Sequence, residues 1–498
     1  MSGEPSTPRV YGNWHKPRSP GLWGFGALSL GLLMSGVVLS IVVLLKSTVA
    51  GALCLLLTMV VVLPMRVRDR YGRDLWQRFA ARAAWKIGVA KGQDLYQSGP
   101  LARIGRGTHS LPGIAASITA YDAMDGWGRP FGLLHHRGVS HVTAVIQTSA
   151  DGAALLDKDE VDARVAQWGI WLAALGTEPG LLGVAVTVET SPDSGVRLRR
   201  EVESRLVEGA PPLATEIMRA IVDEYPAGSA SITCRIALTW SMAARVEGRA
   251  QRGLQEMAVE VAHRLPHLSK TLAGTGASPG RPMTVEEIAT ACRVAYDPAV
   301  HCWLEEAGEE GTGIAFTECG PRAHWQYDSY YRHDSGVSVT WEMAEAPRGF
   351  VTSNVLAGLL APHPEIARKR VTLLYRMHDP AEAAQVVEKD YRDAVFNESG
   401  AKGLQMGTRL AVRQAEKTAS EEAQGAGLAL FGLLVTATVT DEERSDEVGI
   451  MVEDLGLGAR LALRRSYGSQ AAAFAAGLPL GLVLPHHLEV PQLLRELR

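Results

Sequence analysis

The stretch GLWGFGALSLGLLMSGVVLSIVVLL, residues 21–45, holds no charged side chain. A helix crosses the hydrocarbon core of a bilayer with about 20 such residues. The run therefore restricts the start of the chain to a membrane span, a buried core helix or a signal sequence. Lys46, Ser47 and Thr48 follow, and a second apolar run extends from Val49 to Met65, near the short limit for spanning. A signal peptide needs a small-residue cleavage site and an exported domain behind it. Here another apolar run and a cluster of arginines follow, so residues 21–65 are expected to form a transmembrane helical hairpin.

The flanks orient it. Arg66 to Lys91 holds eight basic residues against Asp69 and Asp74, the N-tail adds Arg9, Lys16 and Arg18, and the turn carries only Lys46. Because basic residues accumulate on the cytoplasmic side, the chain is expected to be a multi-pass protein of the cell membrane, with both termini and its bulk in the cytoplasm. Trp76, Phe79, Ala80, Ala83 and Ile87 recur at helical spacing inside the basic cluster. Two readings fit that periodicity: an amphipathic helix on the anionic leaflet, or a helix packed on the cytoplasmic domain.

Residues 1–91 carry a net charge of +9 within a whole-chain charge of −4, which leaves −13 for the rest. An acidic bulk behind a basic start suits a membrane surface better than a nucleic-acid groove, and no direct nucleic-acid partner is expected. The five cysteines are scattered, without a CxxC pair. Neither a disulfide framework nor a zinc site follows from them.

Beyond the basic segment, period-2 alternation marks strands in SITCRIALTW (231–240), VSVTWEM (337–343), Val184–Val188 and Phe431–Val439, each with one face expected to be buried. Helical patterns cover Asp159–Leu175, Gly195–Leu206, Leu213–Tyr225, Leu254–Leu265, Thr284–Val294, Ala381–Phe396 and Asp441–Leu455. The expected fold is α+β: a cytoplasmic N-tail (1–20), the hairpin (21–65), a basic juxtamembrane segment (66–110), a first α/β subdomain (111–306), a Gly-rich linker (307–328) and a second α/β subdomain (329–498). LTWSM (238–242) and VTWEM (339–343) share x-Thr-Trp-x-Met. Equivalent strands of a duplicated unit are one reading of this, and coincidence is the other.

Chemistry is sparse. A P-loop needs a Gly-Lys pair for the phosphates, and the chain has none, so a conventional NTPase is excluded. GRGTH (105–109) lacks the third glycine of a dinucleotide loop, with Ser110 in its place. A hairpin turning at Gly138 would set His136 and His141 face to face beside His135, but a metal site needs three or four convergent ligands. Tyr331, Arg332, His333, Asp334 and Ser335 supply triad-type residues, yet neighbours on a strand point in alternate directions. DKDE (157–160) reads as an acidic helix start, and ARKR (367–370) as a solvated basic knot. No catalytic, cofactor-binding or metal-binding residue is assigned.

The tail YGSQAAAFAAGLPLG (467–481) resembles the close of the N-terminal, non-catalytic region of the CagE/TrbE/VirB-type conjugation ATPases, through Gln470, Phe474, Leu478 and Pro479. VYGNWHKPRSPGLWGFG (10–26) with its apolar runs is similar to the PrgI-type two-helix membrane subunit of the same machines. Read end to end, the chain resembles an actinobacterial conjugation-associated membrane protein that joins the two. The resemblance implies a non-catalytic, membrane-anchored scaffold of a type IV secretion-like apparatus. Its expected partners are the lipid bilayer, a separate motor ATPase and other secretion subunits, with self-association an open alternative and no cofactor. An EccE-like subunit of a type VII system, or a membrane-tethered enzyme using His333, Asp334 or the 135–141 histidines, are the alternatives.

Overall fold

The computed structural model describes residues 11–12, 14, 27–67, 69–71, 73–99, 109–152, 156–207, 209–224, 229–244, 251–307, 311–347, 349–400, 406–423, 425 and 427–488. Two helices, α1 (Ala27–Leu44) and α2 (Thr48–Arg66), pack against each other. Their backbones come close where glycine allows it: a Cβ on Gly36 would strike Thr58, and one on Gly51 would strike Leu44. Among the described residues, α2 is the helix long and apolar enough to cross a membrane. Its N-cap is Ser47, whose hydroxyl accepts from the Ala50 N–H. Helix α3 (Leu75–Ala90) follows, opened by a capping box between Asp74 and Gln77.

The rest is a mixed α/β body on one large sheet, antiparallel at every strand pair. The strands are β1 (Leu95–Gln97), β2 (Ile118–Met124), β3 (Pro130–His136), β4 (His141–Thr148), β5 (Leu181–Pro192), β6 (Ala230–Ser241), β7 (Arg281–Pro282), β8 (Ala323–Gln326), β9 (Tyr331–His333), β10 (Gly336–Glu345), β11 (Arg368–Met377), β12 (Ala429–Val439) and β13 (Ala462–Arg465). Their spatial order is β1-β8-β9-β10-β12-β11-β5-β6-β4-β3-β2, with β7 on β4 and β13 on β10.

Between the strands lie α4 (Lys158–Gly176), α5 (Val196–Arg205), α6 (Pro212–Glu224), α7 (Leu254–Lys270), α8 (Val285–Tyr296), α9 (His301–Ala307), α10 (Ala357–Leu360), α11 (Pro380–Gly400), α12 (Met406–Ala423), α13 (Ser445–Gly458) and α14 (Gln470–Ala476). The two expected subdomains thus share one sheet, joined where β5 pairs with β11.

The order repeats about that junction. The run β3-β4-β6-β5 on one side is matched by β9-β10-β12-β11 on the other. The short strands β7 and β13 sit on the matching strands β4 and β10, and α8 and α14 follow them in turn. The strand correspondence is not the one the Thr-Trp pattern suggested. LTWSM lies in β6, whose counterpart is β12, and VTWEM lies in β10, whose counterpart is β4.

Both faces of the central strands are covered, unlike the one-faced burial expected from alternation. One face packs Trp171, Leu175, Met257 and Val261 of α4 and α7 on Val142, Ile236, Leu238 and Trp240, and Val448 and Val452 of α13 on Trp341, Val371 and Val435. The other face takes Ile288, Cys292 and Tyr296 of α8 with Phe474, Leu478 and Leu480 of the C-terminal segment. The expected linker is built into this second core, because Phe316 and Cys319 are buried there and β8 joins the sheet. Residues 308–310 and GRGT (105–108) lie outside the described residues.

The N-terminal elements meet one end of the sheet. Arg73 reaches Glu342 at 3.4 Å, Tyr11 bridges Val351, and the Trp14 ring stands 6.3 Å from that of Phe431. That end therefore lies next to α2 and α3.

Candidate functional site

Buried hydroxyls form a belt on the α8 side of the sheet. Thr143 and Thr239 are 2.8 Å apart, Thr187 and Thr372 3.0 Å, Thr340 and Thr436 2.9 Å, and Ser338 and Thr438 2.7 Å. A strand interior has no water for such groups, so each must find a partner across the ladder. A histidine ends the belt in each half. His136 Nε2 lies 3.0 Å from Thr143, and His333 Nε2 lies 2.8 Å from Ser338.

The proton count fixes the direction of both chains, since each hydroxyl has one proton to give. Thr239 donates to the Gly481 carbonyl at 2.7 Å, so Thr143 donates to Thr239 and His136 donates from Nε2. His333 Nδ1 is 2.6 Å from the Tyr296 carbonyl and must donate there. Its Nε2 then accepts from Ser338, which accepts from Thr438. Both imidazoles are neutral; burial holds each at a pKa of about 3.

The C-terminal segment runs over this belt as a strap. Gln470 imitates a neighbouring strand: its side-chain oxygen accepts from the Thr340 N–H at 2.8 Å, and its amide donates to the Thr340 carbonyl at 3.2 Å. Phe474 stands against Tyr296, Tyr331 and His333 at centroid distances of 5.1, 5.2 and 4.8 Å. Gly481, at φ 66°, rests where a Cβ would lie 2.4 Å from both Thr143 and Thr239. The tail's glycine and glutamine are thereby explained as fits to the sheet. At the far end His486 Nδ1 approaches His141 Nε2 at 3.1 Å.

The hairpin pairing His136 with His141 is present in the register. His486 and His487 of the strap join them, a partnership that local sequence spacing could not reveal. Burial lowers His141 to a pKa of about 4, with His486 and His487 adding to the effect. Among the described residues, no group of three or more His, Cys, Asp or Glu side chains is placed to hold a metal ion.

ARKR is the clearest correction. Arg368, Lys369 and Arg370 are buried in β11, at the centre of the sheet. Partners replace water for two of them: Arg368 binds Glu189 at 2.8 Å, beside Arg235 on the other Glu189 oxygen at 2.6 Å, and Lys369 donates to the Ala361 carbonyl at 2.7 Å, whereas Arg370 Nε and Nη2 are buried without a hydrogen-bond partner among the described residues. Arg370 lies 4.4 Å above the Phe474 ring. Burial opposes the charge on Glu189, but Arg368, Arg235 and Arg370 outweigh it and hold its pKa far below the usual carboxylate range. Beside this cluster opens a cleft of about 490 Å³, lined in part by Glu189, Arg235, Arg368, His301, Glu305 and Thr312.

Residues 331–335 disperse as alternation requires. The Tyr331 hydroxyl meets His324, Asp334 binds Arg293 at 3.0 Å and accepts from the Arg322 and Ala323 N–H groups, and the Ser335 hydroxyl binds Asp297. Burial raises the Asp334 pKa against those partners. Asp157 caps α4 in position, with Asp159 and Glu160 in its first turn.

A family profile described as a domain of unknown function (DUF8461) matches residues 18–77, the α1–α2 pair and the first turn of α3. No curated protein matches the chain.

Proposed function

We propose that this chain is a membrane-anchored, non-catalytic scaffold of a type IV secretion-like conjugation apparatus, which docks a separate motor ATPase at the cytoplasmic membrane. In this reading α1 and α2 form a transmembrane hairpin, with both termini and the sheet in the cytoplasm. The lone Lys46 between the helices and the basic residues after α2 support that orientation.

The observation that carries the reading is the strap. The residues that resemble the end of a conjugation ATPase N-domain (Gln470, Phe474, Leu478 and Pro479) are buried in the sheet's second core. Their place in that core supports the resemblance to the family's non-catalytic region, on which the docking role rests. Co-purification from native membranes tests this: the system's motor ATPase is expected to accompany the full chain. Its absence under conditions that retain the other secretion subunits sinks the docking role. Recovery with a hexameric type VII ATPase instead would favour the EccE-like alternative.

A further inference from the structure

Helix α3 shows two faces. Trp85 turns inward, with its Cβ within reach of Gly468, while Arg78 is half-buried on the same side. Opposite them Trp76, Phe79 and Ile87 are 39%, 65% and 56% exposed, and no residue of the helix is fully buried. Arg82 and Lys86, both exposed, lie along one border of this apolar face, as 100° per residue dictates.

The start of α3 is tied to α2, since Trp76 Nε1 donates to the Val61 carbonyl at 2.8 Å. Val61 precedes the last residue of α2 by five positions. At 1.5 Å per residue this is roughly 7 Å short of the helix end. If Arg66 marks the water boundary of an embedded α2, Trp76 sits at headgroup depth, where indole is favoured.

We propose that the Trp76–Phe79–Ile87 face of α3 lies on the cytoplasmic leaflet and binds anionic lipid, with Arg82 and Lys86 against the headgroups. The bilayer is the occupant because the face continues from an apolar helix at membrane depth and is bordered by cations. The inference rests on α2 being embedded. It goes beyond the docking role: α3 fixes the tilt of the sheet on the membrane, where a tether alone would leave it free.

The test uses the full chain in vesicles, with Cys302→Ser removing the exposed native thiol and Phe79→Cys or Ala81→Cys carrying an environment-sensitive dye. The dye at position 79 is expected to be quenched by brominated phospholipid in vesicles containing phosphatidylglycerol, and the dye at position 81 is not. Each basic residue near such a surface shifts binding about five-fold. Arg82→Gln with Lys86→Gln is therefore expected to lower the helix's bound-to-free ratio roughly thirty-fold, as is replacing the anionic lipid with phosphatidylcholine. Carbonate washing of the same samples separates the two claims. Chain that is extracted overturns the anchor and this inference together. Chain that is retained with an unquenched dye at position 79, whether water or protein covers it, overturns the lipid face alone.

Discussion

Replacing Gly481 with alanine probes the strap where it touches the hydroxyl belt. The residue sits at φ 66°, and the new Cβ would fall 2.4 Å from Thr143 and Thr239. Left-handed backbone costs a non-glycine residue about 1–2 kcal/mol. Overpacking a filled site costs about 1–3 kcal/mol. Any retreat of the strap also breaks the buried bond from Thr239 to the Gly481 carbonyl, worth about 1 kcal/mol.

The expected loss is about 3–6 kcal/mol, against a total stability of about 5–15 kcal/mol for a native protein. Hydrogen exchange on the full chain in nanodiscs reads it locally. Amides of residues 470–486 should lose roughly two to four and a half decades of protection. Two controls divide the effect. Gly113 has φ 61° and open space around it, so Gly113→Ala isolates the backbone cost; Gly432 has open space and an ordinary φ, so Gly432→Ala should cost little. If Gly481→Ala loses no more protection than Gly113→Ala, the strap is not held by its fit to the belt.

Glu189→Gln strips the carboxylate that Arg235 and Arg368 share, and breaking a buried pair costs about 3–5 kcal/mol. A matching fall in the midpoint of thermal aggregation is expected, with little change for the exposed Arg205→Ala. Gln470→Ala leaves the Thr340 N–H and carbonyl without their side-chain partner, which should destabilise α14 by about 1–3 kcal/mol as read by its amide exchange. For pH the sign follows from depressed values: His136 and His141 stay neutral in the fold down to about 3 and about 4, while unfolded chain protonates near 6.5. Stability therefore falls as pH drops from about 6.5 toward 4, by up to about 1.4 kcal/mol per pH unit for each group. His136→Asn should flatten a urea-unfolding series over that range, and an unchanged slope would refute the assignment.

Strands and helices were legible where the pattern had length: β5, β6, β10 and β12 fall on the alternating stretches, and α4 to α8, α11 and α13 on the helical ones. What the pattern concealed was the second covered face. Thr143, Thr187, Thr239, Thr372 and Thr436 occupy the positions that alternation assigns to solvent, and they are buried because they bond one another. ARKR misled for the same reason, since a charge count cannot show a glutamate 179 residues away on the neighbouring strand. His141 and His486 are 345 residues apart and meet only because the strap runs across the sheet from β10 to β4.

The junction between β5 and β11 has a consequence for biosynthesis. β5 ends at Pro192 and its partner begins at Arg368. At roughly 5–20 residues per second, translation reaches the partner roughly 10–35 s later. Through that interval the nascent first half carries an open edge at β5. Ribosomes translating one message beside one another would bring several such edges together, and an edge of this kind accepts any matching strand. The order of synthesis thus sets a window in which β11 of one chain can complete the sheet of its neighbour.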